Sequence, residues 1–146
     1  MKKVLVLVAA AAFFAACNNQ NASTETATDT TAVAVTDTAN APVFNFEQNS
    51  YDFGQVSEGE KVSHDFKFTN TGNTPLVITD ARASCGCTKP EYPASPVAPG
   101  ESGTIHVVFD SQGRLGMQNK VITIVANTVP STIELNLVGE VKEKAK

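Results

Sequence analysis

Lys61-Val62-Ser63-His64-Asp65-Phe66-Lys67-Phe68-Thr69-Asn70 is the stretch that decides the fold. Val62, His64, Phe66 and Phe68 fall on one side of an extended chain, and Lys61, Ser63, Asp65 and Lys67 on the other. A period of two is the signature of a half-buried strand, since a helix would repeat its apolar positions every three or four residues. Both ends are punctuated, by Glu58-Gly59-Glu60 before it and by Asn70-Thr71-Gly72-Asn73-Thr74-Pro75 after it, and these are turn-forming residues.

Outward from this strand the same grammar repeats. Upstream, Val43 to Glu47 predicts a strand with Phe44 and Phe46 on one face, and Tyr51 to Val56 predicts another. Downstream, Leu76 to Arg82 predicts a strand that leads into Ser84-Cys85-Gly86-Cys87-Thr88. Pro90, Pro93, Pro96 and Pro99 then exclude a helix or a central strand. Gly103 to Phe109 points Ile105, Val107 and Phe109 inward, with Thr104 and His106 opposite. After the loop Gln112 to Gly116, Met117 to Ala126 is a mostly apolar strand. A turn at Asn127 to Ser131 precedes Thr132 to Val141, where Ile133, Leu135 and Leu137 alternate with Thr132, Glu134 and Asn136. Helical periodicity is absent throughout. Seven to eight short strands in a hundred-residue span predict an all-β, Ig-like β-sandwich over 42–141. With no Trp and no widely spaced cysteine pair, it is not of the antibody type. The apolar stripes are core positions.

The residues before this domain read as targeting. Lys2 and Lys3 precede a short apolar run, Val4 to Phe14, and the small residues Ala15 and Ala16 stand before Cys17. This is the pattern of a secretory signal peptide over 1–16. Phe14-Ala15-Ala16-Cys17 resembles the lipobox of bacterial lipoproteins, with Phe14 where Leu is usual, and implies that Cys17 becomes lipidated; ordinary cleavage would instead leave a free thiol. Residues 17–41 are rich in Asn, Thr, Ala and Ser, too poor in apolar side chains to offset the entropy of folding, and read as a flexible tether. Asp29-Thr30-Thr31 and Asp37-Thr38-Ala39 look like Asp-Thr-apolar O-glycosylation sites, which makes Thr30 and Thr38 candidate acceptors beside the plainer reading of solvated linker. The Lys-rich end, 142–146, reads as frayed.

The formal net charge is −4, and loss of Lys2 and Lys3 makes the mature chain more acidic. Lys and Arg are otherwise scattered singly, so nucleic acid is not an expected partner. Membrane attachment would rest on acyl chains alone, with no polybasic patch to help. Asn18-Asn19-Gln20-Asn21 lacks the acidic run that accompanies some surface lipoproteins. A periplasm-facing anchor in a bacterial cell envelope is therefore expected in preference to surface display.

As a set, Phe53-Gly54, Gly59-Glu60, Phe66-Lys67-Phe68-Thr69-Asn70-Thr71-Gly72, Pro75-Leu76-Val77-Ile78, Ser84-Cys85-Gly86-Cys87-Thr88, Pro99-Gly100-Glu101-Ser102-Gly103 and Leu137-Val138-Gly139 resemble the bacterial Ig-like domain-of-unknown-function family 1573. Its members with the SCGCT motif are commonly envelope lipoproteins. The family is similar to the Ig-like group of major sperm protein, PapD-type chaperones and cilia-associated repeats. The resemblance spans about Phe46 to Val141 and implies a PapD/major-sperm-protein-like sandwich. It carries no activity.

Chemistry can reside in Cys85 and Cys87. In a continuing strand their Cα atoms would lie at or beyond the limit for a disulfide, so closure needs a bend, which Gly86 would permit. The oxidising compartment favours such a bond. Two thiolates also suit Cu or Zn, with His64, His106 and Met117 as the remaining candidate ligands. A third reading is structural: a sharp corner ahead of the prolines. No phosphate loop, G-x-S-x-G, H-E-x-x-H or carboxylate pair is present. The sequence therefore predicts a non-enzymatic, cofactor-free module that binds an envelope protein or glycan through sheet edges or loops. The alternative is a thiol redox or soft-metal protein using Cys85 and Cys87.

Overall fold

The computed structural model describes residues 40–145. Residues 1–16, read as a signal peptide, and Cys17, Thr30 and Thr38 lie outside the described residues. Among the described residues there are eight strands: β1 (Phe44–Phe46), β2 (Ser50–Ser57), β3 (Lys61–Asn70), β4 (Ile78–Ala83), β5 (Thr88–Glu91), β6 (Ser102–Asp110), β7 (Gly116–Ala126) and β8 (Thr132–Lys142). They form two four-stranded sheets, in the orders β1-β3-β6-β5 and β2-β8-β7-β4. All pairs are antiparallel except β2 with β8. This is the Ig-like sandwich expected from the alternation.

The inward rows close the core as the pattern requires. Val62, Phe66 and Phe68 of β3 and Ile105, Val107 and Phe109 of β6 are buried against Ile122 and Ile124 of β7 and Leu135, Leu137 and Val141 of β8. Each such side chain contributes about 1.5–3 kcal/mol when fully buried. Two glycines make room for aromatic rings. Gly103 stands opposite Phe68, whose ring occupies the space a Cβ would take, and Gly139 of β8 is covered in the same way by Phe53. Phe53-Gly54 forms the register shift in β2 that brings the ring there.

Four details differ from the sequence reading. Leu76, expected to open a strand, instead makes an isolated bridge with Val97, each N–H donating to the other's carbonyl at 2.9 Å; the strand begins at Ile78. β5 lies within the proline-rich stretch and contains Pro90. It is tolerated because β5 is an edge strand. Ala41, read as tether, is buried, and the Asn40 carbonyl accepts from Thr74 Oγ1 at 2.8 Å. Lys142, read as frayed, extends β8 by pairing with Ser57.

All four sheet edges are blunted. β1 has three residues, and β5 carries Pro90. β4 is irregular between Ile78 and Asp80, and the Asp80 carboxylate accepts the Ala81 N–H at 2.9 Å. β2 shifts register between Asp52 and Gln55, and Asp52 accepts the Gly54 N–H at 2.8 Å.

One end of the sandwich is held by a fully buried amide. Asn70 Oδ1 accepts the N–H of Gly72 at 3.0 Å and of Val43 at 3.3 Å. Its Nδ2 donates to the carbonyls of Thr74 at 2.8 Å and Val97 at 3.0 Å. Its backbone N–H donates to Glu101 at 2.9 Å, and its carbonyl accepts from Gly100 at 2.7 Å. One residue thus joins the entering chain, the 71–75 loop and the 97–101 turn. Asn70→Ala is expected to destabilise the domain by on the order of 3 kcal/mol, because buried partners are left unpaired. Asn70→Asp should be comparably damaging, since two donors facing carbonyls become a charged acceptor. Denaturant unfolding of both variants checks this; a near-neutral Asn70→Asp would show that the two donated bonds contribute nothing.

The two sheets also meet through His64. Its ring stacks on Tyr51 of the other sheet, with centroids 3.7 Å apart, and its Nε2 accepts from Gln48 Nε2 at 2.8 Å. Burial pushes its pKa below the usual imidazole value, and the Asp65 carboxylate opposes this as the smaller influence. The unfolded chain then binds the proton more readily than the folded one. The stability His64 contributes is complete above about pH 6.5 and is lost as pH falls below that value through the lowered folded pKa. Thermal unfolding at stepped pH should show this loss, and His64→Gln should flatten it.

Candidate functional site

The Ser84–Thr88 corner carries the chain from one sheet to the other, from the edge strand β4 to the edge strand β5. Backbone bonds pin it on both sides. The Ser84 N–H donates to the Val121 carbonyl at 2.8 Å, and the Val121 N–H returns to Ser84 Oγ at 3.2 Å. The Asp110 N–H donates to the Cys87 carbonyl at 2.9 Å. Between these ties, the Thr88 N–H donates to the Cys85 carbonyl at 3.2 Å, which closes a four-residue turn.

Cys85 and Cys87 are joined in a disulfide, with Cα atoms 5.2 Å apart. Two residues along a strand would be separated by about 6.6 Å, so the turn makes the bond possible. Gly86 does not need to be glycine for this: its φ is outside the left-handed region, and a Cβ would meet no atom within 4 Å. What glycine does at this exposed position is leave the approach to the sulfurs open. Both cysteines are half-buried, whereas Thr88 is buried. Thr88 Oγ1 lies 3.5 Å from Cys85 Sγ and 3.9 Å from Cys87 Sγ, so one hydroxyl serves both sulfurs.

Beside the corner is an open cavity of about 450 Å³, bounded by Gly86 and Cys87, by Lys61, Lys89 and Arg114, and by Asp110. Lys61 is 3.8 Å from the Asp110 carboxylate. Among the described residues no ion pair involves Lys89 or Arg114. A fourth cation is close. Lys120 stands on the inward row of β7, and its ammonium lies 5.2 Å from the centre of the Phe109 ring. Burial lowers its pKa, and the nearby Arg114 guanidinium lowers it further. Residues scattered through the sequence thus meet at one end of the sandwich. Nothing in their spacing signalled this, because the gathering is done by topology.

The other candidate ligands are not assembled here. His64 is on the inward row of β3, between Tyr51 and Phe66. His106 faces the opposite side of that sheet and pairs with Asp65. It is three residues, or about 10 Å, along β6 from the level of Thr88. Met117 is exposed at the start of β7. Among the described residues no group of three or more His, Cys, Asp and Glu side chains is arranged to hold a metal ion.

The structure is similar to a protein of unknown function from Porphyromonas gingivalis W83, with TM-score 0.64, 18% identity, and coverage of 75% of this chain and 51% of that one. This chain thus spans about half of that protein. It is also similar to the ASH/PapD-like domain 7 of human CEP192, with TM-score 0.55, 14% identity, and coverage of 73% and 89%. The YadV chaperone aligns with TM-score 0.50, 13% identity, and coverage of 68% and 52%. At these identities the likeness is one of fold, the PapD-like sandwich. No curated protein matches the sequence. A profile for "Protein of unknown function (DUF1573)" matches residues 44–141, two-thirds of the sequence and every strand of the sandwich, and the chain therefore belongs to the DUF1573 family.

Proposed function

We propose that this chain is a lipid-anchored, non-enzymatic module of the bacterial envelope, facing the periplasm, that holds a protein or glycan through the loops at the disulfide end of its sandwich. One observation carries the reading: the chain enters the domain at the end opposite the disulfide. Asn40 and Val43 are bonded to the 71–74 loop, at the far end of β3 from Lys61 and the cavity. A ten-residue strand is about 33 Å long. A module tethered flexibly through Cys17 would therefore leave the disulfide end farthest from its point of attachment and free to meet a partner. The blunted edges favour recognition by loop side chains over the addition of a strand from a partner.

The motif residues support the same reading. Phe53 with Gly139, Phe68 with Gly103, and Asn70 with its loops build the scaffold. The turns 58–60, 84–87 and 112–116 at the disulfide end carry exposed residues that a partner would meet.

Two measurements test the proposal. Metabolic labelling with a clickable fatty acid should mark the protein, and Cys17→Ala should lose the label and move the chain from the membrane to the soluble fraction; a labelled Cys17→Ala variant would remove the anchor. A photocrosslinking residue at Gln112 or Lys89 should give discrete adducts in intact cells, whereas one at Val129, in the 127–131 loop of the opposite end, should not. Adducts confined to Val129 would reverse the orientation.

A further inference from the structure

We propose that the Cys85–Cys87 disulfide is an exchange-competent oxidant for dithiols carried on acidic peptide segments, which the cationic cavity beside it draws in. Three features meet at the sulfurs. The bond lies at an exposed turn with no side chain at Gly86 to shield it. Lys61, Lys89 and Arg114 surround the adjoining space, with Lys120 behind them. The Thr88 hydroxyl is within reach of both sulfurs. Positive charge and a hydroxyl donor favour thiolate over thiol, which makes a sulfur a better leaving group and its disulfide more oxidising.

The acids nearby offset part of this field and leave Lys89 and Arg114 without an ion-pair partner among the described residues. Asp110 faces Lys61 and accepts the Gln112 N–H at 3.0 Å. Glu58 and Glu60 accept the N–H groups of Gly113 and Ser57, at 2.9 and 2.8 Å. Four of the eight Lys and Arg residues between 40 and 145 are gathered here, in a chain whose formal net charge is −4.

The steps balance as a two-electron exchange. Cys87, which borders the cavity, is the sulfur attacked. A thiolate of the incoming dithiol bonds to Cys87 Sγ, and the Cys85–Cys87 bond breaks. Its electron pair leaves on Cys85 Sγ, where the Thr88 hydroxyl 3.5 Å away donates to the new thiolate. The second thiol of the partner loses its proton to solvent and displaces Cys87 from the mixed disulfide. The partner departs oxidised, and Cys85 and Cys87 remain reduced. This chemistry needs neither anchor nor loop partner, so its failure would leave the preceding proposal standing.

The test uses the full chain carrying Cys17→Ser, oxidised, and two synthetic dithiol peptides with the same Cys-Gly-Gly-Cys centre, one flanked by Glu and one by Lys. Rates are compared per thiolate at low ionic strength. The Glu-flanked peptide should react about tenfold faster or more, the scale of electrostatic steering. The gap should shrink in added salt, where the Debye length falls, and in the Lys89→Glu/Arg114→Glu variant. Equal rates, a faster Lys-flanked peptide, or a disulfide that stays intact while oxidised glutathione is reduced under the same conditions would overturn the proposal. In the reduced protein, thiolate absorbance should titrate at higher pH in Thr88→Val and be restored in Thr88→Ser. An unchanged titration in Thr88→Val would remove Thr88 and the leaving role of Cys85.

Discussion

A buried polar side chain is costly unless every donor and acceptor is met, and the architecture depends on how Asn70 meets that condition. Its amide has two donors and an acceptor oxygen, and all are used on backbone groups of three separate segments. The chain that enters at Ala41 and the loop after β3 can lie this close only because Gly72 has no Cβ; one would collide with the backbone of Ala41 and Pro42. The Leu76–Val97 bridge then seals the core above the amide. Removing the Asn70 side chain would free three loops at once, which is why a single amide outweighs any surface ion pair here. Those pairs, such as Lys61 with Asp110, join exposed groups and contribute little.

The strands were legible because alternation is a local property. Val62, Phe66 and Phe68 announce an inward row wherever they occur, and β3, β6, β7 and β8 follow their patterns to within a residue or two. β5 was hidden because Pro90 argues against a strand unless one knows that it lies at an edge, and edge position is a property of the whole sheet. Asn70 was legible as a turn former but not as the centre of a network, since its partners at Val43 and Val97 are each twenty-seven residues away in sequence. The cavity was least legible of all. Lys61, Lys89, Arg114 and Lys120 stand alone in the sequence and become neighbours only when β3, β5, β6 and β7 end at the same level.

The two ends of the sandwich are built differently. The end that receives the chain is tied by buried hydrogen bonds and closed by apolar contacts. The opposite end is open and polar, and its turns are held by backbone bonds together with side-chain bonds from Glu58, Glu60, Ser84, Asp110 and the buried Ser111, while Lys89 and Arg114 border the cavity. Rigid support beneath exposed chemistry is the usual arrangement for a functional loop cluster. Here it arises from the sandwich itself, since this crossing joins β4 and β5, neighbouring edge strands of the two sheets.

The disulfide is poorly explained as a staple. A bond between residues two apart closes a loop of about three, and the chain-entropy relation assigns such a loop only about 1.6 kcal/mol, against about 3 kcal/mol for fifteen residues. The corner is also secured without it, by the Ser84–Val121 pair, the Thr88–Cys85 turn bond and the Asp110–Cys87 bond. A cross-link that constrains little, in a place already constrained, gives stability a weak claim on two cysteines. The surroundings make the stronger claim. A core staple would be shielded by apolar side chains, whereas here Cys87 borders a cavity also lined by Lys61, Lys89 and Arg114, one hydroxyl reaches both sulfurs, and the glycine between them is open. The cations and the hydroxyl bear on the charge of a sulfur and the glycine on access to it, so the surroundings of the corner are those of an accessible sulfur and not of a packed staple.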